Sequence, residues 1–114
     1  MAKDDYHVIV YQILAYLYQC LKKGTPVDGA KLNYGSELLR INQHYWAYII
    51  YHMQDMELIE GIVFAEIDGM DLPYATRLEN CRITPVGIEY LFDNSFMEKA
   101  KQFLKDIKEV TPFV

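Results

Sequence analysis

The sequence is short of the groups that staple small domains together or equip them for chemistry. Its two cysteines, Cys20 and Cys81, stand far apart and in no CxxC or Cys/His spacing, so both read as reduced packing residues rather than disulfide partners or metal ligands. Histidine is scarce too. His7, His44 and His52 form no HxxxH pair, and no serine or cysteine sits in a nucleophile motif, so no catalytic residue and no cofactor is assigned and the chain reads as a non-enzyme. His44 and His52 would lie about 80° apart around a helix. With Asp55 they would make at best a loose, exposed ion site, so they read as surface histidines and no metal is assigned.

A long apolar run is also missing. Gln12 and Gln19 interrupt the first apolar stretch and Lys22-Lys23 close it, short of the roughly 20 residues a membrane span needs. Met1-Ala2-Lys3-Asp4-Asp5 lacks the charged-apolar-cleavable order of a signal peptide, so the expectation is a cytoplasmic protein without membrane contact. Residues 42–71 contain no lysine or arginine, yet hold Asp55, Glu57, Glu60, Glu66, Asp68 and Asp71. This stretch accounts for the whole net charge of -5, because positive and negative residues nearly balance elsewhere. A polyanion would meet a repelling field there.

What is present is one domain's worth of globular sequence: 114 residues, 52% hydrophobic and 24% charged, read as a single unit over 1–114. The ten tyrosines fit either a partner or self-association surface or a tyrosine-rich core rim.

Periodicity predicts a first helix from about Asp5 to Lys23, with Tyr6, Val10, Ile13, Leu14, Leu17 and Leu21 as its core stripe opposite Gln12, Gln19 and Lys23, and Gly24 as its stop. Thr25-Pro26-Val27 should be extended. A short second helix is expected between Asp28 and Leu39, blurred by Gly29 and Gly35. Asn42 caps a third helix running to about Met56, with Trp46, Ile49, Ile50 and Met53 inward. Leu58 to Ile67 reads as a strand, Asp68-Gly69 as a hairpin turn, Gly69 to Pro73 as an irregular tip, and Arg77 to Ile83 as the returning strand. Thr84-Pro85 starts a helix with Ile88, Leu91 and Phe92 inward, ended by Asn94. Ser95 caps a last helix, about 95–110, striped with Phe96, Ala100, Phe103, Leu104 and Ile107 opposite Glu98, Gln102, Lys105 and Glu109, and Thr111-Pro112 closes the chain.

This order predicts an α+β, mainly α fold: a winged helix-turn-helix with a two-stranded wing and an extra C-terminal helix, the latter either an appendage or a dimerisation element. Ile83-Thr84-Pro85-Val86-Gly87-Ile88-Glu89-Tyr90-Leu91 looks like the Ile-Thr-x-x-Gly-x-x-Tyr-Leu segment that closes many bacterial winged helices after the wing. Tyr45 to Ile50 and Met56 to Gly61 are similar to the third helix and its run into the wing. With its size and extra helix, the chain resembles the YjcQ-like family, small winged-helix proteins of Gram-positive bacteria and their phages, from helix 1 to about residue 109. Related sequences usually carry glycine between third helix and wing, where Glu57 stands here.

The resemblance implies fold more than activity, since winged helices serve several ends. A DNA-binding transcriptional regulator would place Gln43, His44, Ala47, Tyr48 and Tyr51 in the groove and Arg40 and Arg77 on the backbone. The charge pattern disfavours DNA. The alternative is a module for protein interaction or homodimerisation, using Tyr48, Tyr51 and the wing-tip residues Met70 and Leu72, or the last helix through Phe96, Phe103, Leu104 and Ile107.

Overall fold

A computed structural model describes residues 1–108. Helix α1 (Tyr6–Lys23) runs through the middle of the molecule, and its residues Val8 to Leu17 are all buried. The expected stripe is therefore too narrow: the helices Gln43–Asp55, Pro85–Asp93 and Ser95–Asp106 and the strand Arg82–Ile83 enclose this helix on most sides, and even Gln12 is only 6% exposed. The prediction also fails at Leu21, which is 56% exposed because the last turn projects beyond the elements that cover the middle. Gly24 takes a left-handed conformation, φ 68°, and the Thr25 amide donates to the Cys20 carbonyl, closing the helix as its position suggested.

The expected second helix is a single 3-10 turn, Gly29–Leu32, capped by Asp28, followed by turns to Leu39. Helix α2 (Gln43–Asp55) is the helix expected third. The Asn42 side chain accepts the Tyr45 amide at 2.9 Å, and Trp46, Ile49, Ile50 and Met53 are buried as predicted. The Trp46 indole donates to the Leu32 carbonyl at 2.7 Å, which pins the 3-10 turn to α2.

The hairpin is interrupted on both arms. Strand β1 (Ile59–Glu60) pairs antiparallel with β4 (Arg82–Ile83), and β2 (Val63–Ala65) with β3 (Tyr74–Thr76). The returning strand thus begins earlier than predicted, at Tyr74, and breaks at Arg77, whose φ of 60° starts a 3-10 turn, Leu78–Asn80. On the outgoing arm, Gly61 has φ 98°, and a Cβ there would lie 2.0 Å from the Asn80 carbonyl oxygen. The two arms cross too closely at this point for any side chain. Asp68-Gly69 forms the tip turn, with the Met70 amide donating to the Ile67 carbonyl at 3.1 Å.

Helix α3 (Pro85–Asp93) is capped by Thr84, whose hydroxyl accepts the Gly87 amide at 2.9 Å. Phe92, predicted inward, is 61% exposed: it follows Leu91, which α3 buries together with Gly87, and so points about 100° away. Helix α4 (Ser95–Asp106) is capped by Asn94 rather than Ser95, the Asn94 side chain accepting the Phe96 and Met97 amides. Its buried residues, Met97, Ala100 and Leu104, pack on α1 and α3. Glu109 and the closing Thr111-Pro112 lie outside the described residues. The fold is α+β and mainly helical, with two antiparallel strand pairs, and no helix among the described residues is long and apolar enough to cross a membrane.

Candidate functional site

Helix α2 presents two rows of side chains away from the core, and the hairpin treats them differently. The first row is Gln43, Ala47, Tyr51 and Gln54, and all of it after the exposed Gln43 lies under the hairpin. Gln54 grips it directly: its Nε2 donates to the Ile62 carbonyl at 2.8 Å and its Oε1 accepts the Ile62 amide at 3.0 Å. The Tyr51 ring meets Phe64 edge-on, with centroids 5.5 Å apart. Ala47, expected on the outward face, is only 9% exposed. It shares a narrow groove of about 140 Å³ with Gln43, His44, Met70, Leu72 and Ala75. Of the five side chains that would have entered a DNA groove, Ala47 and Tyr51 are covered in this way, while Gln43, His44 and Tyr48 stay exposed.

The second row is His44, Tyr48 and His52, and it is left open. Tyr48 is 46% exposed and His44 is exposed. His52 is half-buried between two tyrosines, its ring centroid 4.5 Å from Tyr48 and 5.4 Å from Tyr51. The stretch that carries these rings, residues 42–71, also carries Asp55, Glu57, Glu60, Glu66, Asp68 and Asp71, all exposed. Glu60 meets Arg82 at 3.7 Å across β1 and β4, a surface pair of little energetic weight. Among the described residues, no three histidine, cysteine, aspartate or glutamate side chains gather as metal ligands would.

Arg40 and Arg77 each belong to another feature of the surface. Arg40, exposed with φ 49°, lines a cleft with Lys3, Asp4, Glu37 and Leu104. Arg77, also exposed, opens the 3-10 turn that packs against Gly29–Leu32. The four residues weighed for a dimer helix separate as well. Leu104 is 2% exposed and belongs to the core, Phe103 is half-buried, Phe96 stacks flat on His7 at 4.2 Å, and Ile107 remains 39% exposed.

The junction between α2, the hairpin and α3 is built from the segment singled out by its sequence. The Thr84 hydroxyl donates to the Glu57 carbonyl while its amide donates to the Leu58 carbonyl at 3.2 Å. A Cβ at Gly87 would lie 2.1 Å from the Leu58 oxygen, so α3 approaches the end of α2 at a distance only glycine permits. The sequence model of the YjcQ protein family matches residues 11–110, which includes this junction. The chain belongs to the YjcQ family. No curated protein and no solved structure matches it.

In this YjcQ-family chain Glu57 carries out the turn that glycine usually makes. Its φ is 64°, with the Glu57 amide donating to the Gln54 carbonyl and the Leu58 amide to the Met53 carbonyl, both at 2.9 Å. That is a left-handed helix closure made without glycine, at a cost of about 1 kcal/mol. Sequence reasoning missed the covering of Ala47 and Tyr51, although Phe64 and Ala75 supply the apolar groups that do it. Residues on the two hairpin arms carry no mark in sequence of the helix they will touch.

Proposed function

We propose that this YjcQ-family chain is a non-enzymatic winged-helix module that binds a protein partner through the exposed row of α2. The order of α1, a short turn segment, capped α2, hairpin and α3 supports the winged-helix reading. One observation carries the functional choice: the hairpin lies over Ala47, Tyr51 and Gln54, and what stays open is an aromatic patch, Tyr48 with His44 and His52, within a stretch, 42–71, that holds six acids and no lysine or arginine. An amphipathic ring at the centre with charge at the edge is how protein interfaces are composed. The partner surface that fits is apolar at its centre and basic around it.

The test compares immobilised wild-type protein with Tyr48→Ala and with Arg40→Glu/Arg77→Glu in capturing interactors from cells of a bacterial host. A partner retained by the arginine variant and lost by Tyr48→Ala supports the reading; loss in the opposite pattern overturns it. Tyr51→Ala is a poor probe because it also removes the contact to Phe64.

A second reading, DNA-linked regulation, is favoured by the exposed Gln43 and His44 at the N-terminus of α2, close after Arg40. Fluorescence anisotropy of a labelled random duplex at about 50 mM and about 200 mM salt separates the two, because phosphate contacts weaken steeply over that range. Micromolar, salt-sensitive binding lost in Arg40→Glu/Arg77→Glu would favour DNA; no binding up to about 100 µM would remove it.

A further inference from the structure

Away from α2, the side made by α1, α3 and α4 holds a groove of about 450 Å³. Its apolar wall comes from Ala15 and Tyr18 of α1, Leu91 and Phe92 of α3 and Met97 of α4. Its rim carries Lys22, Lys23 and Lys101 against a single carboxylate, Glu98. Two features need explaining together. Phe92 is 61% exposed at the groove edge, a large apolar group left in water. Tyr18 meets Phe92 edge-on at 5.3 Å, and the Lys22 ammonium stands over the Tyr18 ring at 5.5 Å, so aromatic wall and cation form one continuous feature.

We propose that this groove binds a small amphipathic anion, a carboxylate with an acyl or aryl tail. The tail lies along Tyr18, Leu91 and Phe92, where burying it also removes the Phe92 face from water. The carboxylate faces the lysine rim. The volume falls within the range of small-molecule sites, about 300–1,000 Å³. Charge placement points the same way: residues 42–71 repel anions, while this rim carries three cations and one acid, so an anion approaching the molecule is steered here. The site is independent of the α2 face and of the partner proposed for it.

The test is a titration of the full chain with monomeric dodecanoate, read by amide NMR shifts, with dodecyltrimethylammonium as the cationic counterpart. Saturable shifts centred on Tyr18, Lys22, Phe92, Met97 and Lys101, with Kd between about 10 µM and 1 mM, are expected. The cationic chain and the variant Lys22→Glu/Lys101→Glu should each bind about tenfold more weakly. Phe92→Ala, at an exposed position the fold does not need, should weaken dodecanoate while leaving the thermal transition unchanged. Equal binding of both head groups, shifts elsewhere, or unchanged affinity in both variants would overturn the proposal. So would association with anionic vesicles without binding of free dodecanoate, which would make the patch a lipid-surface contact.

Discussion

Replacing Gly87 by alanine opposes two physical expectations at one atom. Intrinsic propensity says that alanine inside a helix is better than glycine by about 1 kcal/mol. The structure says the reverse. The new Cβ would stand 2.1 Å from the Leu58 carbonyl oxygen and 2.8 Å from Ile83 Cγ1, whereas ordinary contact begins at 3.4 Å. Ile83 can turn aside, but the Leu58 carbonyl is backbone, fixed by the Thr84 amide at 3.2 Å. Helix α3 must therefore withdraw by about 1 Å, which strains or breaks the Thr84 bonds to Glu57 and Leu58. Overpacking of this kind costs about 1–3 kcal/mol, and each lost hydrogen bond about 1 kcal/mol. After the propensity gain, the net destabilisation is about 3 kcal/mol. For a domain of this length that lowers Tm by roughly 12 °C. Thermal and urea unfolding followed by circular dichroism measure it, with an unchanged m-value showing that stability alone has moved. A Gly87→Ala protein melting within about 2 °C of wild type, or above it, would refute the close-approach argument.

Further outcomes follow from other contacts. Glu57→Gly should stabilise the protein by about 1 kcal/mol, since glycine accepts the left-handed turn without strain; equal or lower stability on urea unfolding would count against it. Gln54→Ala removes both bonds to Ile62, costing about 2 kcal/mol, and should speed amide exchange across the hairpin more than in α1; uniform change would show that the hairpin is not held there. Burial raises the hydroxyl pKa values of Tyr6, Tyr11, Tyr16, Tyr45 and Tyr90 above 10.0. Folded pKa values above the unfolded ones mean that this contribution is complete below pH 10 and is lost as pH rises through the folded values, so stability should fall from about pH 10 upward. Tyrosinate absorbance in the native state showing these five ionising as early as in urea would contradict it. Burial also pushes the Cys81 thiol up to about 12, leaving about one thiolate in ten thousand at pH 8. In a Cys20→Ala protein, a thiol reagent should then react only on unfolding, and rapid native labelling would refute the buried placement.

Most helices were legible in the sequence because their ends carry chemistry. Asn42, Thr84-Pro85 and Gly24 mark boundaries by groups that satisfy or terminate a helix, and all three act as expected. Where two cap residues are adjacent the choice was not legible: Asn94 took the role expected of Ser95. The second helix failed because Gly29 and Gly35 weaken any register, and Asp28 supports only one short turn. The returning strand was misplaced because its break depends on Arg77 in a left-handed conformation, which no residue type announces. For the candidate site, the helical wheel identified which side of α2 avoids the core. It could not foresee that Phe64 and Ile62 would cover half of that side, because such contacts are fixed by how the hairpin folds back rather than by local pattern.

The molecule also contains its own optical reporter. Its single tryptophan, Trp46, is 3% exposed, holds the Leu32 carbonyl through its indole nitrogen and lies 5.7 Å from the Tyr34 ring. Its fluorescence therefore responds to whether the segment 29–41 stays seated on α2, while emission excited through the tyrosines averages over the whole fold. A ligand or partner that lifts that segment would shift the tryptophan spectrum towards the red and leave the helical circular dichroism nearly unchanged. Local opening and global unfolding could then be told apart in one cuvette, without a label.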